Sequence, residues 1–296
     1  MRVSRKEIKV MKDYYADFHC HSKNSDGKYE IQEVIDIARK ANVKYLALTD
    51  HNKLMPDFNA YQEYNLDMVL IQGTEISTSL EFVTTGKRTE IHIVGLFVEP
   101  TNEFQTFLKH NRIDNKERLK KMIQNLKGFG IDLGSYEEIQ AAYPDRILRR
   151  MLLAQVMKDR GFVSSVEEGF DKFIGDYGKR FAWEPSNVEY ASMNQTIEAI
   201  HRANGLSILA HPLSYALTTL EQKELFMRFK EAGGDAIELF YATYSEEKRR
   251  DLKLQIDALG CGYSCGSDFH GVMENEHMNH HFSAELYYQM LRLRKR

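Results

Sequence analysis

At 296 residues with 43% hydrophobic content, the chain can bury the core of one large α/β domain and still carry an insertion, which excludes a string of small modules. A formal charge of −3 and a sequence pI near 6.4 exclude the global basic footprint of a duplex-binding protein, though not a local cationic site for a small anion. Three cysteines, Cys20, Cys261 and Cys265, exclude a disulfide framework and a CxxC zinc knuckle, and they point to a reducing, cytoplasmic setting.

Residues 1–12 are basic without an apolar run and read as a short leader; no run approaches the ~18 apolar residues of a membrane span. The first strand is expected over 14–18 and ends in His19-Cys20-His21. Side chains two apart on a strand share a face, so both imidazoles can converge on one ion while Cys20 turns away. Ser25-Asp26-Gly27-Lys28 reads as a turn, and 30–42 carries apolar residues at helical spacing. The strand at 43–49, almost continuously apolar as buried parallel strands are, runs into Asp50-His51-Asn52. A third strand at 68–72 leads to Gly73-Thr74-Glu75-Ile76-Ser77, and a fourth at 90–98 holds His92 between Ile91 and Ile93.

From about residue 100 the pattern turns helical, with segments at 102–129, 136–143, 146–160 and 166–174. This strand-free block is expected to be an insert that covers the site. The α/β rhythm resumes with helix 193–204 and strand 206–210, which runs into His211-Pro212. Helix 220–232, strand 235–240, helix 245–259 and strand 261–265 follow, the last ending in Gly266-Ser267-Asp268-Phe269-His270. The expected units are two barrel halves at 13–99 and 186–275, the insert at 100–185, and a C-terminal segment at 276–296. Strands alternating with helices predict a parallel sheet closed as a barrel, with the chemistry at the C-terminal strand ends.

Nine metal-capable residues fall at those ends: His19, His21, Asp26, His51, Glu75, His92, His211, Asp268 and His270. A lone histidine at a strand end is usually structural, but nine recurring donors are not explained that way. Imidazole with carboxylate and no thiolate suits Zn, Mn or Fe at a hydrolytic centre better than a structural zinc. Asp50, next to His51, is a candidate to orient an imidazole from behind. His110 and His201 lie in helical stretches, and His277, His280 and His281 near the C-terminus read as surface residues. No Gly-x-Ser-x-Gly or cysteine arrangement offers a protein nucleophile.

Taken in order, His19-x-His21, Thr49-Asp50-His51, Gly73-Thr74-Glu75-Ile76-Ser77, His92-Ile93-Val94-Gly95, Ala210-His211-Pro212 and Gly266-Ser267-Asp268-Phe269-His270 resemble the motifs of the PHP (polymerase and histidinol phosphatase) superfamily over about residues 15–275. The resemblance implies a distorted (β/α)7 TIM-like barrel and a centre of two to three divalent metal ions (Mn, Fe or Zn). It implies His19, His21, Glu75 and Asp268 around one ion, Glu75 bridging to a second held by His92 and His211, and Asp26, His51 and His270 around a third.

His21-Ser22-x-x-Ser25-Asp26-Gly27 and the insert look like the subgroup of nucleoside 3',5'-bisphosphate phosphatase and RNase AM. Histidinol phosphatases of the superfamily usually carry His where Asp26 stands. Arg149 matches an arginine of that subgroup, whereas Met151 stands in place of its histidine. The implied activity is hydrolysis of a phosphomonoester of a nucleoside 3',5'-bisphosphate, or of a short 5'-phosphorylated oligonucleotide, by a metal-bound hydroxide. Arg149 and Arg150, with Lys179 or Arg180, are candidates to hold a second phosphate, because guanidinium forks fit phosphate bidentately. The alternatives are a histidinol-phosphate or other small-molecule phosphatase, an amidohydrolase, and an inactive PHP binding module. The last fits poorly with a full set of ligands. The expected partner is a small phosphorylated substrate, nucleotide or short RNA, with no membrane and no obligate protein partner.

Overall fold

The computed structural model describes residues 14–111, 116–175, 179, 181–182, 184, 190–273, 276–278 and 280–295; the expected leader and Arg180 lie outside these residues. Seven strands form one sheet in sequence order: β1 (Tyr15–Cys20), β2 (Val43–Leu48), β3 (Val69–Glu81), β4 (Arg88–Leu96), β5 (Leu206–Leu209), β6 (Ala236–Tyr241) and β7 (Gly262–Gly266). The ring closes where the chain beyond β7 meets β1. There Asp268 N–H donates to the His19 carbonyl at 2.8 Å, and His21 N–H donates to the Phe269 carbonyl at 2.8 Å. At the other end of β1, Ala16 N–H donates to the Phe282 carbonyl at 2.9 Å, so the C-terminal segment fills the gap beneath.

One strand departs from the all-parallel expectation. β4 runs antiparallel to both β3 and β5, while the other pairings are parallel. The reason is the connection: only residues 82–87 separate β3 from β4, and a loop that short makes a hairpin, whereas a parallel return needs a crossover. β3 also runs to Glu81 rather than stopping at 72. Glu75 and His92 therefore lie inside long strands rather than at strand ends. They still reach the same rim, because His51 bridges Glu75 in parallel and Ala210 N–H donates to the His92 carbonyl at 3.1 Å.

Helices α1 (Ile31–Lys40), α2 (Phe58–Tyr64), α3 (Asn102–His110), α8 (Met193–Arg202), α9 (Thr219–Glu231) and α10 (Glu246–Leu259) accompany the strands, and α11 (Glu285–Leu293) follows β7. α1 forms because Ile31, Val34, Ile35 and Ala38 make one buried stripe and Glu30 with Glu33 closes a capping box at its start. Leu286 and Met290 of α11 pack with Phe18, Ala47, Ile208 and Ala236, a helix not anticipated from the sequence.

The insert holds α4 (Lys116–Gly128), α5 (Tyr136–Ala142), α6 (Arg150–Asp159) and α7 (Val166–Gly169), the last continuing into a π-helical turn at Phe170–Ile174. It has a core of its own, built from Leu119, Met122, Leu126, Leu152, Leu153, Val156 and their neighbours. α3 instead packs Phe104 and Leu108 against Ile76, Ile93 and Ile197, so the sequence-based boundary at 100 falls ahead of a helix seated on the barrel. Among the described residues, no helix is long and apolar enough to cross a membrane.

Candidate metal centre

The rim of the barrel gathers all nine sequence-predicted donors. β1 delivers His19 and His21, and the loop after it delivers Asp26. Its turn is tight: Gly27 N–H donates to the Ser22 carbonyl at 3.0 Å, and a Cβ on Gly27 would lie 2.6 Å from the His21 oxygen. On β3 and β4, Ser77 lies opposite His92, so Glu75, two residues back, shares the face of His92. His211 and Asp268 follow β5 and β7 with φ of 29° and 55°, left-handed conformations that residues other than glycine seldom adopt.

Glu75 is the hub. Its Oε1 lies 2.7 Å from His92 Nδ1, 3.1 Å from His211 Nε2 and 3.3 Å from His19 Nε2; its Oε2 lies 3.0 Å from His51 Nδ1 and 3.3 Å from His21 Nε2. Asp268 Oδ1 stands 3.2 Å from His21 Nε2 and 3.4 Å from His19 Nε2. Asp26 reaches His270 Nε2 at 3.5 Å and His51 Nε2 at 3.6 Å.

Three groups result, each with its donor atoms within 4.8 Å of one another: His19, His21, Glu75 and Asp268; Glu75, His92 and His211; His21, Asp26, His51 and His270. Their facing atoms lack ordinary hydrogen bonds. His19 Nε2, His21 Nε2, Asp26 Oδ1, His51 Nδ1, Glu75 Oε2, His92 Nδ1 and Asp268 Oδ1 are all buried without a hydrogen-bond partner. Converging donor atoms left without partners in a buried site are the set a cation completes, so the residues present fit metal ions.

A PHP domain family model matches residues 17–159. A 5'-3' exoribonuclease from Haemophilus influenzae is 31% identical over 256 residues, spanning 86% of this chain and 89% of its own. A 3',5'-nucleoside bisphosphate phosphatase from Chromobacterium violaceum is 30% identical over 265 residues, 87% of this chain and 88% of its own. The chain belongs to the PHP domain family. Among solved structures, an amidohydrolase from Chromobacterium violaceum, with bound sulfate and no metal, matches at 26% identity and a TM-score of 0.76, covering 94% of this chain and 96% of that one.

Behind the candidate ligands of this PHP barrel lies a layer of hydrogen-bond partners that fixes them. Glu238 on β6 accepts from His19 Nδ1 at 3.1 Å and from the His211 backbone N–H at 2.6 Å. Glu90 takes His92 Nε2 at 3.2 Å, and Tyr241 donates to Asp268 Oδ2 at 2.9 Å. Such partners set the imidazole tautomer and leave the other ring nitrogen facing the site. Asp50 does not touch an imidazole. It accepts from Ser22 N–H at 2.8 Å, Ser22 Oγ at 2.7 Å and Ser25 Oγ at 2.6 Å, and only Ser25 Oγ, 3.4 Å from His21 Nδ1, relays its effect. Asp17 ties the closure together by accepting from Ser267 N–H at 3.0 Å; burial lifts its carboxyl to about 6 against the pull of those hydrogen bonds.

Protons and carboxylates balance each other across the PHP centre. Burial opposes charge on His92 and His270, but Glu75 and Glu90 around the first, and Asp26 and Asp268 around the second, push both up to about 10. Burial likewise raises Asp26 and Glu75, and the surrounding imidazoles more than reverse it, holding both well below the usual carboxylate range.

The insert adds cations at two edges. Arg149 and Arg146 bear on Asp26, and the Nε of each is buried without a hydrogen-bond partner. Arg118 Nη1 lies 3.8 Å from Glu90 Oε2, and the charge of Arg150 also bears on Glu90. Met151 packs against the insert's own core, and Lys179 lies over the Phe181 ring. The remaining histidines stay apart: His110 bonds the Thr106 carbonyl, His201 bonds Asp235, and His277 stacks on His280.

Proposed function

We propose that this chain is a metal-dependent phosphoesterase that removes a phosphate from a nucleoside 3',5'-bisphosphate or from the 5' end of a short RNA. The observation that carries this reading is the set of three contiguous donor groups sharing Glu75 and His21, flanked by guanidiniums. The relatives named above, an exoribonuclease and a bisphosphate phosphatase, support the substrate class.

His19, His21, Glu75 and Asp268 would hold one ion, Glu75 with His92 and His211 a second, and Asp26 with His51, His270 and His21 a third. The donor chemistry supports two to three divalent ions, Mn, Fe or Zn: imidazoles and the carboxylates Asp26, Glu75 and Asp268 converge in three groups, with Glu90 and Glu238 directly behind them and the guanidiniums of Arg118, Arg146, Arg149 and Arg150 at the edges. When bound, such ions polarise phosphoryl oxygens, lower the pKa of a water and offset charge on the leaving oxygen.

The chain's own residues do the rest. Glu238, Glu90 and Tyr241 keep His19, His92 and Asp268 aimed inward. Arg146 and Arg149, with unpartnered Nε atoms beside Asp26, bind and orient the second phosphate of the substrate. Arg150 and Arg118, balanced by Glu90, add positive potential at the opposite edge.

The deciding measurement is phosphate release, with Mn added, from adenosine 3',5'-bisphosphate, AMP and histidinol phosphate by wild type and Asp268→Ala. Preferential turnover of the bisphosphate that disappears in the variant is the expected result. Equal turnover of AMP would remove the second-phosphate role of the arginines, and no turnover of any of the three, nor of a 5'-phosphorylated oligoribonucleotide, with metal bound would overturn the reading.

A further inference from the structure

The insert displays an aromatic cluster that its own core leaves half in water. Phe129 and Phe181 are 52% and 47% exposed, with ring centroids 5.2 Å apart and planes 21° from parallel. Phe173 meets both edge-on, at 6.2 and 5.9 Å, and anchors them to the insert's core. Scattered exposed apolar residues need no explanation, but a half-exposed stacked pair anchored by a third ring is a built feature. Lys179 Nζ lies 5.8 Å from the Phe181 centroid.

A ridge along α4 joins the cluster to Glu90, which stands behind His92 at the edge of the metal centre. Asn125 and Phe129 lie seven and eleven residues beyond Arg118, close to two and three turns at about 3.6 residues per turn, so the three share one face of α4 and its C-terminal end. Phe181 and Glu184 lie along that face. The Glu184 carbonyl accepts from Arg118 Nε at 2.8 Å, its carboxylate accepts from Asn125 Nδ2 at 2.7 Å, and Phe181 stacks on Phe129. At one end of the ridge Arg118 meets Glu90, which bonds His92; the aromatic pair stands about 16 Å farther along, at about 1.5 Å per residue. Of the other cations on α4, exposed Lys121 lies nearest this face, whereas Lys116, Lys120 and Lys127 lie on the opposite one and pair with Glu137, Glu117 and Asp132.

We infer that Phe129 and Phe181 form a base-stacking platform for single-stranded RNA whose 5' end lies in the metal centre, an inference that rests on the phosphoesterase reading above. Flat aromatic rings bind any base, and Arg118 and Lys121 along the ridge with Lys179 at the platform can meet a phosphate backbone, the combination that sequence-tolerant single-strand binding uses over about 4–16 nucleotides. A mononucleotide in the centre cannot reach a platform about 16 Å beyond Arg118, whereas an oligonucleotide spans both. The platform therefore separates RNA from bisphosphate as substrates of one centre.

The test compares kcat/KM for adenosine 3',5'-bisphosphate with that for 5'-phosphorylated oligoribonucleotides from a dinucleotide to about eight residues. Wild type, Phe129→Ala and Phe129→Trp are each checked for an unchanged melting temperature. Wild type is expected to gain kcat/KM with length, and Phe129→Ala to lose roughly 5- to 100-fold on the longest oligomers, mostly in KM. It keeps bisphosphate turnover, and Phe129→Trp restores the oligomers. Equal behaviour of Phe129→Ala and wild type at every length, an equal loss on the bisphosphate, or bisphosphate turnover with no RNA turnover in wild type would overturn the platform. Turnover of neither substrate by wild type would overturn the phosphoesterase reading instead. The platform is then judged by quenching of a 2-aminopurine oligoribonucleotide on the metal-loaded protein: quenching lost in Phe129→Ala supports it, and no quenching by wild type overturns it.

Discussion

Replacing Glu238 by glutamine tests whether the layer behind the ligands tunes the centre. Glu238 is almost fully buried and has both oxygens committed, Oε1 to the His19 ring and Oε2 to the His211 backbone N–H. Glutamine preserves the shape but keeps one acceptor oxygen. Its amide group must then face either His19 Nδ1, forcing the other tautomer and a proton onto Nε2, or the His211 N–H, placing two donors together. Each outcome disturbs a different donor group, since His19 belongs with Asp268 and His211 with His92. Gly266 leaves no slack, because a Cβ there would already lie 2.4 Å from Glu238 Oε1 and 2.3 Å from the His19 Cβ.

Loss of such a partner weakens metal binding by about 10- to 100-fold, or about 1.4–2.8 kcal/mol. The assay is Mn or Zn titration against a chromophoric chelator, with metal-free melting curves to verify the fold. Glu238→Asp, which keeps the charge but draws it back, should fall between wild type and glutamine. Wild-type affinity in a folded Glu238→Gln protein would refute the argument that this carboxylate positions His19 and His211.

Arg149→Ala should raise KM for a bisphosphate by roughly 10- to 100-fold, the value of about 1.5–3 kcal/mol for a charged hydrogen bond, while leaving AMP unaffected. Arg149→Lys should recover only part, and an equal effect on both substrates would count against a second-phosphate role. Gly27→Ala should cost about 1–3 kcal/mol by overpacking the turn against His21, read as a lower urea midpoint together with weaker metal binding. Deleting His201 should matter only at low pH. Its hydrogen bond to Asp235 at 2.8 Å raises its pKa, so its stabilisation is full below the unfolded value of about 6.5 and is lost as pH rises through the folded one. Because the ring is 39% exposed, His201→Ala should cost only about 0.5 kcal/mol near pH 5.5; a larger cost at pH 9 would contradict the sign.

The candidate ligands were legible because each interrupts an apolar run with a group that has no structural reason to be there. His19-Cys20-His21, Asp50-His51 and Asp268-Phe269-His270 each put polar side chains beside strands that are otherwise buried. The residues behind them left no such trace. Glu238 sits in Ile-Glu-Leu-Phe-Tyr and Glu90 beside Arg88 and Thr89, where each reads as the solvent face of a strand, and only the closed ring turns them towards the imidazoles. The reversal of β4 was half-visible: Ile76 and Leu80 mark a strand continuing past Glu75, and Thr84-Thr85-Gly86 marks a hairpin loop. The runs Gly73 to Ser77 and His92 to Gly95 suggested strand ends instead. Phe129 and Phe181 are remote in sequence, and their stacking depends on how the insert folds.

Whether the cluster is a working metal centre or an inert relic is a question of stability as much as of turnover. Seven buried donor atoms without ordinary hydrogen bonds converge on one rim, and an unpaired buried polar group costs about 1–3 kcal/mol. A binding module that had lost its metals would gain by replacing such residues with apolar ones, yet every candidate ligand is present. Ion binding should therefore stabilise the fold. At a hundredfold excess over Kd, one site contributes about 2.7 kcal/mol, which for a chain of this size raises the melting temperature by about 4 °C. Calorimetry with EDTA, and then with Mn added back, should show that rise, and Asp268→Ala, which removes a donor from the group of His19 and His21, should blunt it. Identical melting with and without metal would mean that the donors satisfy one another, through the proton sharing that raises His92 and His270 to about 10, and that the cluster holds no ion.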